Sequence, residues 1–235
     1  MQVFHFEQVS STQDLAKEYL KNNPNGIAAA FVADSQTNGY GKQGRDFYSP
    51  AKTGMYFSIA LPKFDLDSAK AGLMTPFIAV KIVEVLQKLF PNKSFKLKWV
   101  NDIYLNQRKI AGILVEKVAV GLVVGFGINL TTTKFPKAIA KKAGSIDQSF
   151  DREKLEQFLI KNVLFAVQNY DQIDFLDEYR KLSCVIGRQV SLHQGQKRYA
   201  GLVVNIDDQG CLLVDIQHRL LHFSSGEIDK VDLEK

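Results

Sequence analysis

Three apolar segments follow one another almost without interruption: FKLKWV from residue 95, KIAGILVEKV from residue 109 and VGLVVGFGINL from residue 120. Each has the length of a strand, and only a few residues separate one from the next. A parallel crossover needs a dozen or more residues, usually a helix, so these short links favour antiparallel hairpins. IAAAFVAD at 27–34 and GMYFSIALP at 54–62 have the compact apolar character of buried strands, and residues 2–9 read as an opening strand. Between the first two lies TQDLAKEYLKNN, a helix whose start at Ser10-Ser11-Thr12 offers a capping hydroxyl and whose apolar side is Leu15, Tyr19 and Leu20. Leu73, Phe77, Val80, Val83, Leu86 and Phe90 recur at helical spacing, which predicts a long helix over about 67–90 with Pro76 as a kink site. Two more helices are expected at about 151–169 and 171–182. After Ser183 the texture changes to four short strands, RQVSLHQ, RYAGLVVNI, GCLLVDI and HRLLHFS, separated by turns such as Asp207-Asp208-Gln209-Gly210. That is a small, barrel-like all-β unit. The fold class is therefore α+β, a mixed, largely antiparallel sheet with flanking helices, followed by a β module.

Composition narrows the function classes. At 235 residues, 46% hydrophobic and 23% charged, the chain has material for a large core and lacks the signature of disorder. No apolar run approaches the roughly 18 residues of a membrane span, and the first residues show no signal peptide. Cys184 and Cys211 stand far apart without metal-ligand spacing, as reduced thiols of a cytoplasmic protein would. The net charge of +5 suits an acidic partner, but the 30 Lys and Arg are scattered rather than clustered, so nucleic acid is not indicated.

Residues 39–45 read GYGKQGR, and Gly39, Gly41 and Gly44 match the spacing of a nucleotide-binding fingerprint. A dinucleotide fold needs that fingerprint to open a helix, yet Pro50 follows too closely. The kinase version wants Val where Asp46 stands, and Walker A wants Lys-Ser/Thr where Arg45 stands. What remains is flexible backbone with free amides beside two cations, Lys42 and Arg45, a combination suited to a phosphate or adenylate. Ordering seven residues costs on the order of 7 to 14 kcal/mol of backbone entropy. Two or three charge-assisted hydrogen bonds return about 1.5 to 3 kcal/mol apiece, so the loop is expected to be disordered when empty and to close on ligand.

A second constellation is KWVNDIYLNQRKIAGILVE, residues 98–116. Trp99 and Asp102 end one strand, a polar turn follows, and Lys109 starts the next strand ahead of Ala111-Gly112. Gly112 allows a flat ligand to lie against the sheet, while Lys109 brings an ammonium to a carboxylate or phosphate. A solvated turn lysine and a turn-capping carboxylate are the plainer readings of Lys109 and Asp102 taken singly. The third piece, Gly125-Phe126-Gly127-Ile128-Asn129, is a strand with two glycines ending in an amide.

Taken in order, these pieces resemble the biotin protein ligases. The likeness rests on Ser11-Thr12-Gln13, the segment from Gln36 through GYGKQGR to Tyr48-Ser49-Pro50, KWxNDIY with RKIAGILVE, GFGINL, and Gly226-Glu227-Ile228 near the C-terminus. The resemblance implies the class II synthetase-like catalytic fold over residues 1–182 and an SH3-like β-barrel domain over 183–235. It implies that biotin and Mg-ATP give biotinyl-5'-AMP and pyrophosphate, after which a lysine of the biotin carboxyl carrier protein of acetyl-CoA carboxylase attacks the mixed anhydride. Carried over by residue, Ser11, Thr12, Gln13, Gln36, Gly39, Tyr40, Gly41, Lys42, Lys109, Gly112, Leu114 and Gly125 would bind biotin. Lys42, Arg45, Phe47, Lys109 and Asn129 would bind ATP or the adenylate. Lys109 and Arg45 would be the catalytic pair, and Asp102 would lie near Mg2+ or the ribose. Family members are monomers or dimers, which leaves a homodimer open.

The departures are specific. Members often carry arginines where Tyr40 and Lys42 stand, and lysine lacks the bidentate fork. Phe47 takes the place of a tryptophan, keeping an aromatic face for adenine without the indole donor. Val100 replaces a proline, and Asp229 follows the Gly226-Glu227-Ile228 segment where an arginine is common. Some relatives also carry an N-terminal winged helix for operator DNA. This chain starts within the ligase pattern, so no operator binding and no membrane partner are expected. A lipoate or octanoate ligase or transferase, and a biotin-binding sensor without catalysis, are the competing readings.

Overall fold

The computed structural model describes residues 1–231, which fall into two compact units. The first contains Met1–Asp67 and Ile103–Ile160, the second Ser68–Asp102 and Lys161–Lys235. In the first unit β1 (Gln2–Phe6) leads to helix α1 (Thr12–Asn22), then β2 (Ala29–Ala33) and β3 (Gly54–Pro62). After α2 (Ala71–Leu89) and β4 (Phe95–Lys98), which belong to the second unit, come β5 (Asp102–Leu105), β6 (Arg108–Val118) and β7 (Gly121–Asn129). The strand order in the first unit runs β1-β2-β3-β7-β6-β5. β1 and β2 are parallel, whereas β2–β3, β3–β7 and β6–β7 are antiparallel, so the sheet is mixed and mostly antiparallel.

Two short links account for the hairpins. Asn106 and Gln107, both with positive φ (49° and 62°), turn β5 into β6. Such two-residue turns with left-handed central residues match the twist of the flanking strands. β5 is a strand that periodicity missed, because DIYL is only four residues long. β7 is buried along its whole length, while β6 leaves Gly112, Leu114, Val115 and Glu116 half-buried. That asymmetry marks the strip of sheet that α1 does not cover. α1 packs its Ala16 and Leu20 on Ala29, Phe31, Ala60 and Val123, with Leu15 and Tyr19 at the margin. Burying such side chains supplies about 1.5 to 3 kcal/mol each for the larger ones.

In the second unit α2 packs on β4 and on α4 (Phe175–Leu182), with the Phe77 and Phe175 rings stacked 4.4 Å apart. α2 runs unbroken through Pro76. Pro76 lies in the second turn, where the missing N–H forgoes a bond to the Gly72 carbonyl. α3 (Arg152–Gln168) precedes α4. The remaining strands, β8 (Gln189–Gln194), β9 (Lys197–Ile206), β10 (Leu212–Ile216), β11 (Arg219–Phe223) and β12 (Glu227–Val231), form an antiparallel sheet in the order β11-β10-β9-β8-β12. Val190, Leu192, Val203, Ile206, Leu212, Val214, Phe223 and Ile228 are its core. The fifth strand is the Gly226-Glu227-Ile228 segment, which lacks an apolar run and so reads as turn from sequence alone. Trp99 is 3% exposed, and its indole Nε1 donates to the Gly210 carbonyl at 3.0 Å, tying the Asp207–Gly210 turn to the end of β4. The Trp99–Val100 peptide bond is cis.

Candidate active site

Side chains of alternate strand residues share one face, so registry decides what lies across the sheet. Tyr56 pairs with Gly127 and Gly127 with Gly112; Ser58 pairs with Gly125 and Gly125 with Leu114. The result is a trough whose floor is backbone at Gly112, Gly125 and Gly127. Three groups from this chain lie on that floor. A Cβ on Gly127 would come within 2.4 Å of Phe47 Cε1, one on Gly125 would meet Gln13 Oε1, and one on Gly112 would lie 3.1 Å from Lys109 Nζ. At Gly125 and Gly127 any side chain would force these groups to move, while at Gly112 the flexible Lys109 could give way slightly. The Phe47 ring is edge-on to Tyr56, with centroids 6.4 Å apart.

The wall is polar and comes from the start of α1, from Gln36 beyond β2, and from β3 and β6. Ser11, Thr12 and Gln13 are each less than 5% exposed. Ser11 sits at the N-cap position of α1 but makes no side-chain cap bond. The capping expected of its hydroxyl is absent; the first N–H of the helix is met from outside by Gln36 Oε1, which accepts from Thr12 N at 2.9 Å and from Thr12 Oγ1 at 3.1 Å. Thr12 Oγ1 is also 2.9 Å from Ser58 Oγ, which donates to Gln13 Oε1 at 2.9 Å. Gln13 Nε2 donates to Glu116 Oε2 at 2.7 Å. Ser11 Oγ and Asn129 Oδ1 are buried and have no hydrogen-bond partner among the described residues. A buried polar atom left unmatched costs about 1 to 3 kcal/mol, which is tolerated where a ligand supplies the partner.

The glycine loop closes on itself. Gly41 N–H donates to the Arg45 carbonyl (2.8 Å) and Phe47 N–H to the Gly39 carbonyl (2.8 Å), around a tight turn at Lys42–Gly44. Gly39 is buried, and a Cβ there would stand 2.6 Å from Gln36 Nε2 and 2.9 Å from the Phe47 carbonyl. These hydrogen bonds within the loop offset part of the backbone entropy that ordering it costs, beside whatever a ligand contributes. Arg45 is exposed, with Nε 3.3 Å from the Lys42 carbonyl. Lys109 lies at the start of β6, half-buried; its N–H donates to the Lys142 carbonyl and its carbonyl accepts from Gly144 N–H, both at 2.8 Å. Its ammonium lies 5.9 Å from the Phe47 ring centroid. Asn129 ends β7 and donates through Nδ2 to the Gly144 carbonyl at 3.0 Å.

The trough thus brings together Thr12, Gln13, Gln36, Gly39, Phe47, Lys109, Gly112 and Gly125, with Leu114 on the same face. Asp102, at the first position of β5, belongs to the second unit. Sequence reasoning missed Ser58, Glu116, Ser49, Lys17 and Asp14 as parts of this network, because nothing in their local pattern marks them; strand registry places Ser58 and Glu116, and tertiary packing places the other three. Among the described residues no group of three or more His, Cys, Asp or Glu is placed to hold a metal ion.

A backbone-floored trough on a mixed sheet, with a polar wall and Lys109 beside it, is the site that this α+β fold presents. The chain belongs to the biotin/lipoate A/B protein ligase family, whose pattern matches residues 5–132, and residues 185–231 match the biotin protein ligase C terminal domain. It is 32% identical over 218 residues to the bifunctional ligase/repressor BirA of Escherichia coli K12, covering 88% of this chain and 67% of that protein. It is 26% identical to the biotin acetyl-CoA-carboxylase ligase of Mycobacterium tuberculosis, covering 84% of this chain and 77% of that one. The chain thus spans about two thirds of the length of the bifunctional relative. Among solved structures, the biotin protein ligase of Aquifex aeolicus in complex with biotin and ATP superposes with a TM-score of 0.82 at 26% identity, covering 97% of each chain. The biotin ligase fold and its separate C-terminal antiparallel sheet agree with the expected fold class.

Proposed function

We propose that this chain is a biotin protein ligase that forms biotinyl-5'-AMP from biotin and ATP and transfers the biotinyl group to a lysine of a biotin carboxyl carrier protein. The observation that carries the reading is the glycine floor beside Lys109. It offers a flat, backbone-lined bed next to an ammonium, as a ring-bearing carboxylate requires. In this reading Thr12, Gln13, Gln36 and Ser58 match the ring's donors and acceptors, Ser11 Oγ gains its missing partner, and Gly112, Leu114 and Gly125 line the bed. The carboxylate oxygen attacks the α-phosphorus of ATP, the bond to pyrophosphate breaks, and Lys109 stabilises the charge that develops between them. Arg45 and Lys42 bring cations from the loop to the phosphates, and Asn129 Oδ1 is open to a nucleotide donor. Afterwards the carrier amine attacks the acyl carbon, and AMP leaves.

Mg2+ enters as part of Mg-ATP. The absence of a ligand cluster among the described residues suits an ion held by phosphate oxygens and water, with Asp102 the carboxylate assigned to it by resemblance. We assign catalysis to residues 1–182 and an SH3-like role to 183–235, and place the protein in the cytoplasm, where its two unpaired cysteines would stay reduced.

The test is pyrophosphate release from Mg-ATP with biotin, lipoate or no acid, followed by intact-mass analysis after adding an apo carboxyl-carrier domain. Biotin-dependent release with mass gain on the carrier supports the ligase. Lipoate-dependent release, or biotin binding without release, overturns it in favour of the neighbouring branch or a sensor.

A further inference from the structure

Tyr40 lies in the middle of the glycine loop, yet its side chain bonds to α1 rather than to the loop. Its hydroxyl donates to Asp14 Oδ1 at 2.6 Å and accepts from Lys17 Nζ at 3.0 Å. The same ammonium is 5.4 Å from the centroid of the Tyr40 ring. Asp14 and Lys17 are three residues apart and so share one side of the helix. Lys17 also pairs with Glu116 Oε2 at 2.8 Å, the oxygen that accepts from Gln13. One chain of hydrogen bonds therefore runs from the loop through α1 to β6 at the trough. The far end of the loop is tied as well, since Gln36 Nε2 donates to Ser49 Oγ (2.9 Å) and Ser49 Oγ to the Phe47 carbonyl (2.8 Å).

We propose that Tyr40 is a positioning residue that latches the glycine loop to helix α1 through Asp14 and Lys17, restraining the segment that carries Lys42 and Arg45 and holding Phe47 on the trough floor. The argument is one of donor and acceptor count. A phenol oxygen both donates and accepts, so it satisfies a carboxylate and an ammonium at one point. Arginine or lysine at position 40 only donates and would set a second cation against Lys17, while phenylalanine does neither. Asp14, Lys17 and Tyr40 thus form a matched set. The loop's three glycines make such a tie worthwhile, because unrestrained glycine backbone has the most freedom to lose. The latch's effect on catalysis rests on the biotin ligase reading; the latch itself does not.

Trypsin reads the latch directly, because Lys42 and Arg45 are cleavage sites inside the loop. With neither biotin nor ATP present, Tyr40→Phe and Asp14→Ala are expected to raise the rate of cutting after Lys42 and Arg45 about tenfold, relative to other sites in the chain. Asp14→Asn, whose amide oxygen still accepts from the phenol, restores protection, and the Y40F/D14A double variant is cut no faster than either single one. Unchanged loop cleavage in Y40F, D14N as labile as D14A, or a uniform rise at every site would each overturn the latch. With biotin and ATP supplied, Y40F is expected to raise the KM for biotin by a larger factor than it lowers kcat. Absence of biotin-dependent turnover in the wild type sinks the ligase reading alone and leaves the digest to decide the latch.

Discussion

Replacing Gly127 by alanine tests the trough floor quantitatively. The added methyl would sit 2.4 Å from Phe47 Cε1 and 2.7 Å from Cζ. Carbon atoms in good contact are about 3.5 to 4.0 Å apart, so the ring must retreat by roughly 1 Å or more. Overpacking of this kind costs about 1 to 3 kcal/mol, offset by about 0.5 to 1 kcal/mol from the backbone freedom that glycine loses and alanine does not. The net loss of about 0.5 to 2 kcal/mol lowers Tm by roughly 1 to 8 °C at about 2 to 4 °C per kcal/mol for a chain of this size. In a Phe47→Ala background the ring is gone, and the same Gly127→Ala change should be neutral or slightly stabilising. Thermal unfolding of the four proteins of this cycle gives the coupling energy. An equal Tm drop in both backgrounds would refute the placement of Phe47 on the floor. If the trough also receives biotin, Gly127→Ala raises the KM for biotin even in the Phe47→Ala background, because the methyl lifts the ligand off its bed.

Other expectations follow from single contacts. Lys109→Ala should reduce biotin-dependent pyrophosphate release on the order of 100-fold with little change in Tm, since the bonds to Lys142 and Gly144 are made by backbone; near-normal release would remove Lys109 from the mechanism. Trp99→Phe leaves the Gly210 carbonyl without its indole donor and should cost about 1 to 3 kcal/mol, read as a lower urea midpoint, whereas an unchanged midpoint would mean that the tie contributes nothing. Burial, then the bond to Asp14, pushes the Tyr40 phenol above its usual 10.0, and burial of Lys17 is outweighed by Glu116 and Tyr40, which hold it above 10.5. Both folded values exceed the unfolded ones, so the latch's stabilisation is complete below about pH 10 and lost as pH rises through the folded values. The stability difference between wild type and Tyr40→Phe should therefore stay constant from about pH 7 to 9 and shrink above about 10; a difference that already shrinks between about pH 7 and 9 would contradict the assignment.

The sequence by itself determined the antiparallel centre of the sheet, because the links between its apolar segments are too short for crossovers. It also determined the helices, whose apolar spacing is local information, and the motif order of a biotin ligase. Lys109 and Gly112 were legible as a pair because they lie on one strand. What only the tertiary structure decided is non-local. Gly112, Gly125 and Gly127 become one floor through the registry of β3, β6 and β7, and no local pattern shows that Phe47 rests on it. Ser58 and Glu116 join the wall because alternate strand residues share a face with partners tens of residues away. β5 is only four residues long and β12 is mostly charged, so their pairing comes from neighbours rather than from their own composition. The glycine loop shows the division most clearly. Its three glycines give the backbone its freedom, while Asp14 and Lys17, on a helix more than twenty residues earlier, take that freedom away.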